Sequence, residues 1–325
     1  MEEQIFEQRT DLTALNQAVN AIRNEIKKII VGQDEMVRLI ITALLADGHV
    51  LIEGVPGVAK TLTAKLVAKS VNAGFSRIQF TPDLMPSDVL GTPVFNPREA
   101  VFEFKKGPIF SNIVLVDEIN RAPAKTQSAL LEIMEERQAT VDGKTYPMSA
   151  PFMVLATQNP VEQEGTYRLP EAQLDRFLFK ILVPYPTETE EMEILTQFNR
   201  MGSTKPIDMI SPALDGAQIA ALRIQIKSQI IEEKLLQFIA KLIHQTRNHK
   251  SIYLGASPRA SLAIMNASKA MAAIQGRDFV TPEDILAVVP PVLRHRIILA
   301  PDKEMEGVTE DEVIRQIIQS MDVPR

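Results

Sequence analysis

No cysteine occurs in the 325 residues. That removes disulfides, thiolate zinc sites and cysteine nucleophiles. No apolar run reaches membrane-spanning length, because Asp, Lys, Arg or Pro interrupts each one. The chain is therefore not expected to be membrane-embedded. Its first residues, MEEQIFEQRTD, are polar and charged and do not read as a secretory signal. These absences fit a cytoplasmic protein. Basic residues do not predominate either: Lys and Arg number 35 against 41 Asp and Glu, a net charge of −6. That balance argues against a protein whose main task is gripping nucleic acid. Neither an internal repeat nor a low-complexity segment is found. The four histidines (His49, His244, His249, His295) fall at no metal-ligand spacing, so core or surface roles are the better reading.

What is present is an ordinary globular balance, 45% hydrophobic and 23% charged. The chain is longer than one core usually holds, so two domains are expected. The stretch LIEGVPGVAKT, Leu51 to Thr61, organises it. An apolar run meets a turn carrying Gly54, Pro56 and Gly57, followed by Lys60, Thr61 and a helix-forming run. A strand, a flexible loop and a helix N-terminus in that order form a phosphate cradle. Backbone N–H groups and the helix dipole face the anion. Lysine adds a point charge on the terminal phosphates, and the threonine hydroxyl can ligate Mg²⁺. The nucleotide-contacting loop thus runs Gly54, Val55, Pro56, Gly57, Val58, Ala59, Lys60, Thr61, Leu62. Ala59 stands where the phosphate-loop pattern has glycine.

Upstream, Leu12, Leu15, Val19, Ile22, Ile26 and Ile29 recur at helical spacing. Gly32 breaks that helix, and Asp34 can cap the next one. The Val-Gly-Gln turn with Gly32 and Gln33 either touches a bound base or is only a helix boundary. Downstream, a helix from Lys60 to about Asn72 leads into a strand at Arg77–Thr81. Pro93–Phe95 and Val101–Phe104 flank an Asn-Pro-Arg-Glu turn, a hairpin that is an edge ribbon or a projecting contact element. Asn112–Glu118 reads NIVLVDE, a buried parallel strand that presents carboxylates at its C-terminal end. A helix from Ala124 to about Arg137 turns Ala129, Leu130, Ile133 and Met134 inward. Ala139–Val141 and Thr145–Met148 flank Asp142-Gly143, which suits a type I′ hairpin turn. Further buried strands lie at Pro151–Pro160 and Phe179–Pro186. Alternating strands and helices give an α/β fold with a parallel sheet.

After Pro186 the chain reads almost wholly helical. Residues 188 to about 199 form a helix and 202–212 a linker-like loop. Lys234–Thr246 is amphipathic. Ser257 caps a helix with Pro258 at its first position, Thr281-Pro282-Glu283-Asp284 opens another, and Thr309-Glu310-Asp311-Glu312 is a capping box.

Two pairs carry the chemistry. Thr61 and Asp117 are oxygen ligands of the kind Mg²⁺ accepts. Glu118, beside the metal-binding acid, is placed to act as base for an attacking water. Asn159, at a strand end, can bond the γ-phosphate or that water, although a turn former before Pro160 is a fair alternative. Arg176 lies near a helix end. Arg259 lies at a helix start, where its charge works against the dipole and points to an external anion. A surface salt bridge is the plainer reading of either arginine.

In that order GVPGVAKT, NIVLVDE, LATQNP, PEAQLDRF and GASPRAS resemble the MoxR family of AAA+ ATPases. DEINRAPAKTQSALLEIMEERQATVDGKTYPM is especially close to that family's pattern. Family members typically have alanine at the position of Ala59. Arg168, in GTYRLPEAQ, departs from an expected proline and puts the local loop shape in question. The resemblance implies an AAA+ core with a smaller C-terminal helical lid, ATP and Mg²⁺ as cofactors, and ATP hydrolysis. Lys60 and Thr61 would belong to Walker A, and Asp117 and Glu118 to Walker B. Asn159 would be sensor 1, Arg176 the arginine finger given to a neighbouring subunit, and Arg259 sensor 2. Gly32 and Gln33 would lie near adenine, and both hairpins would project toward a pore or client. It further implies a ring, as a hexamer, that remodels or matures protein clients, with metal insertion among the outcomes and a von Willebrand A domain protein as partner. A magnesium-chelatase-like motor subunit and a DNA-directed AAA+ ATPase are the alternatives. The expected domains are 1–187 (nucleotide-binding, with two hairpins), 188–212 (linker) and 213–325 (lid).

Overall fold

The computed structural model describes residues 12–159, 167–202 and 204–324. The polar start of the chain, the Pro160 end of the strand expected at 151–160 and Ser203 of the linker lie outside these residues. Helix α1, Thr13–Lys27, buries Leu15, Val19, Ile22 and Ile26. It stops earlier than its apolar spacing implies: Ile29 is buried in the turn that follows. Helix α2, Asp34–Leu45, has Gln33 at its N-cap position. Asp34 is therefore the first helical residue, where its charge favours the dipole, and not the cap.

Strand β1, Val50–Gly54, enters the loop that starts helix α3, Lys60–Ser70. Strand β2 is Phe75–Gln79, two residues earlier than the alternation suggested. The Phe80 N–H makes the last ladder bond, to the Asp117 carbonyl at 2.9 Å, and the chain then enters a turn. A short helix α4, Pro86–Leu90, precedes a hairpin of β3, Gly91–Asn96, and β4, Val101–Lys106. Val94, Phe95, Val101 and Phe102 are exposed on it.

Strand β5 is Ile113–Asp117, helix α5 Ala124–Glu136. On α5 the buried apolar residues are Leu130, Leu131, Ile133 and Met134, while Ala129 is only half-buried. The second hairpin pairs β6, Gln138–Val141, with β7, Lys144–Pro147. Asp142 and Gly143 at its tip have φ of 49° and 74°, the left-handed pair a type I′ turn needs. Strand β8, Met153–Gln158, and strand β9, Phe179–Val183, complete the main sheet, with the one-turn helix α6, Glu171–Leu174, between them.

The main sheet runs β2-β5-β8-β1-β9, all parallel. Its side chains alternate between two cores, which is why the central strands are apolar throughout. Val50, Ile52, Ile113, Leu115, Met153 and Leu155 face α1, α2 and α3. Leu51, Val114, Val116, Val154 and Ala156 face α5.

Beyond β9 come α7, Glu188–Met201, α8, Gly216–Lys227, α9, Glu233–Asn248, α10, Pro258–Ile274, and α11, Pro282–Leu293. The short α12, Pro301–Met305, and α13, Glu310–Gln319, end the fold. Capping boxes hold α7, α11 and α13. This part is not purely helical: β10, Ile252–Leu254, pairs antiparallel with β11, Ile298–Leu299. Its apolar faces join those of α1 and α2 in one continuous core, so the helical part is packed onto the α/β part rather than hung from it.

Candidate functional site

The site begins at Gly54, the last residue of β1. A Cβ there would sit 2.8 Å from the Val183 carbonyl oxygen, so only glycine lets the two strands stay this close. At the other end of the loop Ala59 occupies the N-cap position of α3 with φ 58° and ψ 18°. That is the left-handed conformation, costing an L-residue roughly 1–2 kcal/mol. The geometry accounts for the preference for glycine here, and alanine bears the strain at this position.

Lys60 folds back so that its Nζ donates to the Gly54 carbonyl at 2.5 Å, closing the loop. Burial pushes its pKa down, while Asp117, Glu118 and Glu53 pull it back up. The lysine of the loop and the acids of β5 thus share one electrostatic site. Parallel register makes this happen. Val116 lies beside Ala156 and Glu53 beside Gln158, so Asp117, Asn159 and Gly54 emerge together at the C-terminal edge. Ligands of open α/β sheets gather at such edges. Asn159 is buried there, and Thr61 is half-buried in the first turn of α3.

Asp117 is buried and both its oxygens are engaged: Oδ1 accepts from Thr157 Oγ1 at 3.0 Å, and Oδ2 from Arg77 Nε at 2.6 Å. Glu118 has left the strand, with φ 56° and ψ 52°, which turns its side chain away from that of Asp117. Its N–H donates to Thr157 Oγ1 at 3.0 Å. Its Oε2 accepts from Gln79 Nε2 at 2.8 Å and lies 3.2 Å from Arg121 Nε. Thr157, Gln79, Arg77 and Arg121 were not found from the sequence. They lie on other strands or past the strand end, and only the register reveals them.

The donor set suits a hard divalent cation held with a triphosphate: one carboxylate, one hydroxyl, and room in the chemistry for water and phosphate oxygens. Among the described residues no three His, Cys, Asp or Glu side chains converge as an all-protein metal site. Gly32 has φ 72°, and a Cβ on it would lie 2.4 Å from the Glu190 carboxylate of α7. With Gln33, buried beside it, it forms a tight crossing of α7 over the start of α2.

The two arginines lie elsewhere. Arg176 Nη1 donates to the Leu131 carbonyl at 2.8 Å and sits 3.8 Å from Glu135. Arg259, second residue of α10, has Nη2 3.0 Å from the other oxygen of Glu135. Among the described contacts its partner is this acid of α5 and not the phosphate loop. Within one chain Arg259 is thus held beside Arg176 on Glu135. Ser257, at the N-cap position of α10, does not cap it. Its hydroxyl donates to Asp175 Oδ2 at 2.9 Å.

Arg168 is exposed at the start of the segment leading to α6, and the adjoining Tyr167 N–H bonds the Asn120 carbonyl at 2.6 Å. Two histidines are buried and structural. The His49 ring bridges the Met134 carbonyl and the Val154 N–H, and burial lowers its pKa to about 3. His295 bonds the Phe177 carbonyl, and burial holds it neutral as well.

Residues 49–179 match the model of the ATPase family associated with various cellular activities (AAA), and residues 244–317 that of an AAA lid domain. The chain is 45% identical to "Chaperone MoxR1" of Mycobacterium tuberculosis over 310 residues, covering 93% of this chain and 81% of that one. It is 46% identical to the uncharacterized protein YeaC of Bacillus subtilis over 299 residues, 92% of each. A solved structure of a candidate ATPase from Cytophaga hutchinsonii superposes with TM-score 0.90 at 41% identity, covering 100% of both chains.

Proposed function

The chain belongs to the MoxR family of AAA ATPases and hydrolyses ATP, and from that premise we propose a chaperone-like machine whose active site is completed by a second copy of itself. The observation that carries this reading is the separation of the site into two parts. Lys60, Thr61, Asp117, Glu118 and Asn159 gather at the sheet edge, whereas Arg176 and Arg259 are held on Glu135. Hydrolysis needs positive charge on the transferring phosphoryl group. A ring, as a hexamer, brings the second part of one chain to the first part of the next.

Thr61 and Asp117 would hold Mg²⁺, which when bound would neutralise charge on the triphosphate. Gly54 to Leu62 cradle the phosphates, and Gly32 and Gln33 border the base. Glu118 orients the attacking water and accepts its proton. Gln79 and Arg121 fix that carboxylate in place, and Asn159 bonds the water or the γ-phosphate. Arg176 arrives from the neighbouring chain, with Arg259 beside it as a companion. The hairpins β3–β4 and β6–β7 reach toward the client. Clients are proteins under maturation, with metal insertion among the outcomes and a von Willebrand A domain protein as adaptor. We place this work in the cytoplasm, without nucleic acid. Among the described residues no helix is long and apolar enough to cross a membrane. Residues 1–187, 188–212 and 213–325 serve as core, connector and lid.

A mixing experiment tests the trans arrangement. Glu118→Gln lacks the base and Arg176→Ala lacks the finger, and each alone should turn over only slowly. Mixed before assembly, some sites combine an intact Glu118 with an intact Arg176 from the neighbour. Recovery of ATPase activity is expected. No recovery in mixed rings would place the finger in cis.

A further inference from the structure

We infer that Glu135 is a positioning residue that gathers Arg176 and Arg259 into one pair facing the neighbouring chain's nucleotide. The inference rests on the trans reading above and adds the group that organises the two arginines. Glu135 lies in the last turn of α5, the helix that follows the Asp117–Glu118 corner. Its Oε1 is 3.0 Å from Arg259 Nη2, and its Oε2 is 3.4 Å from Arg259 Nη1 and 3.8 Å from Arg176 Nη1. One carboxylate thus receives guanidinium groups from two distant parts of the chain, the core segment after α6 and the lid helix α10.

The two arginines differ in what else holds them. Arg176 is also bonded to Leu131, and the segment carrying it is anchored to the lid: Arg296 donates to the Asp175 carboxylate at 2.6 Å and to the Asp175 and Phe177 carbonyls at 2.9 and 2.6 Å. Arg259 is 54% exposed, and among the described contacts Glu135 is what turns it toward Arg176. Two like charges repel, and a free arginine must give up rotamer freedom to bind. The shared carboxylate offsets the repulsion and sets both groups before the phosphate arrives. At 37% exposure its hold is weak, so a triphosphate of higher charge can draw the pair away. The lid and the finger then deliver their charges together, and the position of the lid is felt at the neighbour's site.

Glu135→Gln keeps the size and removes the charge. In assembled protein titrated with ATP, kcat should fall roughly ten-fold or more, the loss of about 1.4 kcal/mol of transition-state stabilisation. KM should stay within about two-fold, since uniform binding is untouched. Placed in an Arg259→Ala background the substitution should cost little further, and Glu135→Asp should recover part of the rate. Wild-type kcat for Glu135→Gln, with Arg176→Ala and Arg259→Ala both crippled, would overturn the positioning role alone. A full additional loss on top of Arg259→Ala would do the same, as would a fall in melting temperature with kcat per folded chain unchanged. If both arginine variants turn over normally, the trans reading itself fails, and the role of Glu135 with it.

Discussion

Thr157 donates its hydroxyl to Asp117 Oδ1 at 3.0 Å and with the same oxygen accepts the N–H of Glu118 at 3.0 Å. One side chain on β8 therefore sets both acids at the end of β5. Thr157→Val keeps the shape and removes both bonds. An N–H left buried without a partner costs about 1–3 kcal/mol. The expected result is a lower melting temperature together with a kcat reduced by about ten-fold, because Glu118 loses the backbone contact that holds its left-handed turn. A kcat equal to wild type would show that Gln79 and Arg121 position the carboxylate without Thr157.

Glu118→Gln retains the Gln79 and Arg121 side of the site in shape but cannot accept a proton. General-base catalysis contributes roughly 10²–10⁴ in rate, so turnover should fall by that order while ATP remains bound. Single-turnover hydrolysis and filter-binding of labelled ATP separate the two effects. Hydrolysis at the wild-type rate would remove Glu118 from the proton-accepting role.

Lys60 and Arg176 should fail differently. Lys60 closes the loop through Gly54 and shares its surroundings with three carboxylates. Lys60→Ala removes the loop's own point charge on the terminal phosphates, and ATP affinity should collapse. In the proposed trans arrangement Arg176 would act on a neighbour's nucleotide, and a finger given in trans is worth roughly 10³–10⁵ in rate. Arg176→Ala should lose that order of kcat with affinity changed only a few-fold. Binding isotherms beside steady-state rates distinguish the two patterns, and tight ATP binding by Lys60→Ala would contradict the cradle.

The parallel sheet, both hairpins and the cluster of Lys60, Asp117, Glu118 and Asn159 were legible because their signals are local. A buried strand ending in acids and a glycine-rich turn before Lys-Thr each declare themselves within a few residues. Thr157, Gln79 and Arg77 were not legible, since an ordinary threonine, glutamine or arginine in a strand acquires its task only when the register places it beside Asp117 or Glu118. Glu135 sits in an acidic turn with Glu132 and Glu136 and reads as part of a solvated face. Ser257 has the marks of an N-cap, yet its hydroxyl is turned to donate to Asp175, a carboxylate from a distant segment. The pairing of β10 with β11 was missed because two or three residues per strand carry too little alternation to detect.

Ala59 gives a prediction on the loop itself. Its φ of 58° strains any residue with a Cβ. Glycine would relieve that strain but would also add freedom to the unfolded chain, worth about 0.4–1 kcal/mol in the opposite direction. Ala59→Gly should therefore change stability by about 0 to 1.6 kcal/mol, on the stabilising side, with ATP turnover close to wild type. Chemical denaturation measures the first and a steady-state assay the second. A large destabilisation would mean that the Ala59 side chain contributes packing that outweighs its strain.

Stability should fall on the acid side because of His49. Its ring donates to the Met134 carbonyl at 3.0 Å and accepts the Val154 N–H at 2.9 Å, so the neutral tautomer is required. Protonation would set two N–H groups against each other. Burial lowers its folded pKa from 6.5 to about 3, and the unfolded chain therefore binds the proton first. The stabilisation is complete above pH 6.5 and drains as pH falls from there toward 3, by up to about 1.4 kcal/mol per pH unit. His295, buried with its pKa also lowered, adds a slope of the same sign. His49→Asn can still accept from Val154 but does not titrate. It should be less stable than wild type at pH 7.5, from the lost bond to Met134, and should show a shallower decline between pH 6.5 and 4.5. Urea titrations across that range provide the slopes. Parallel slopes for the two proteins would mean that His49 stays neutral in the unfolded chain too or is not the group that titrates.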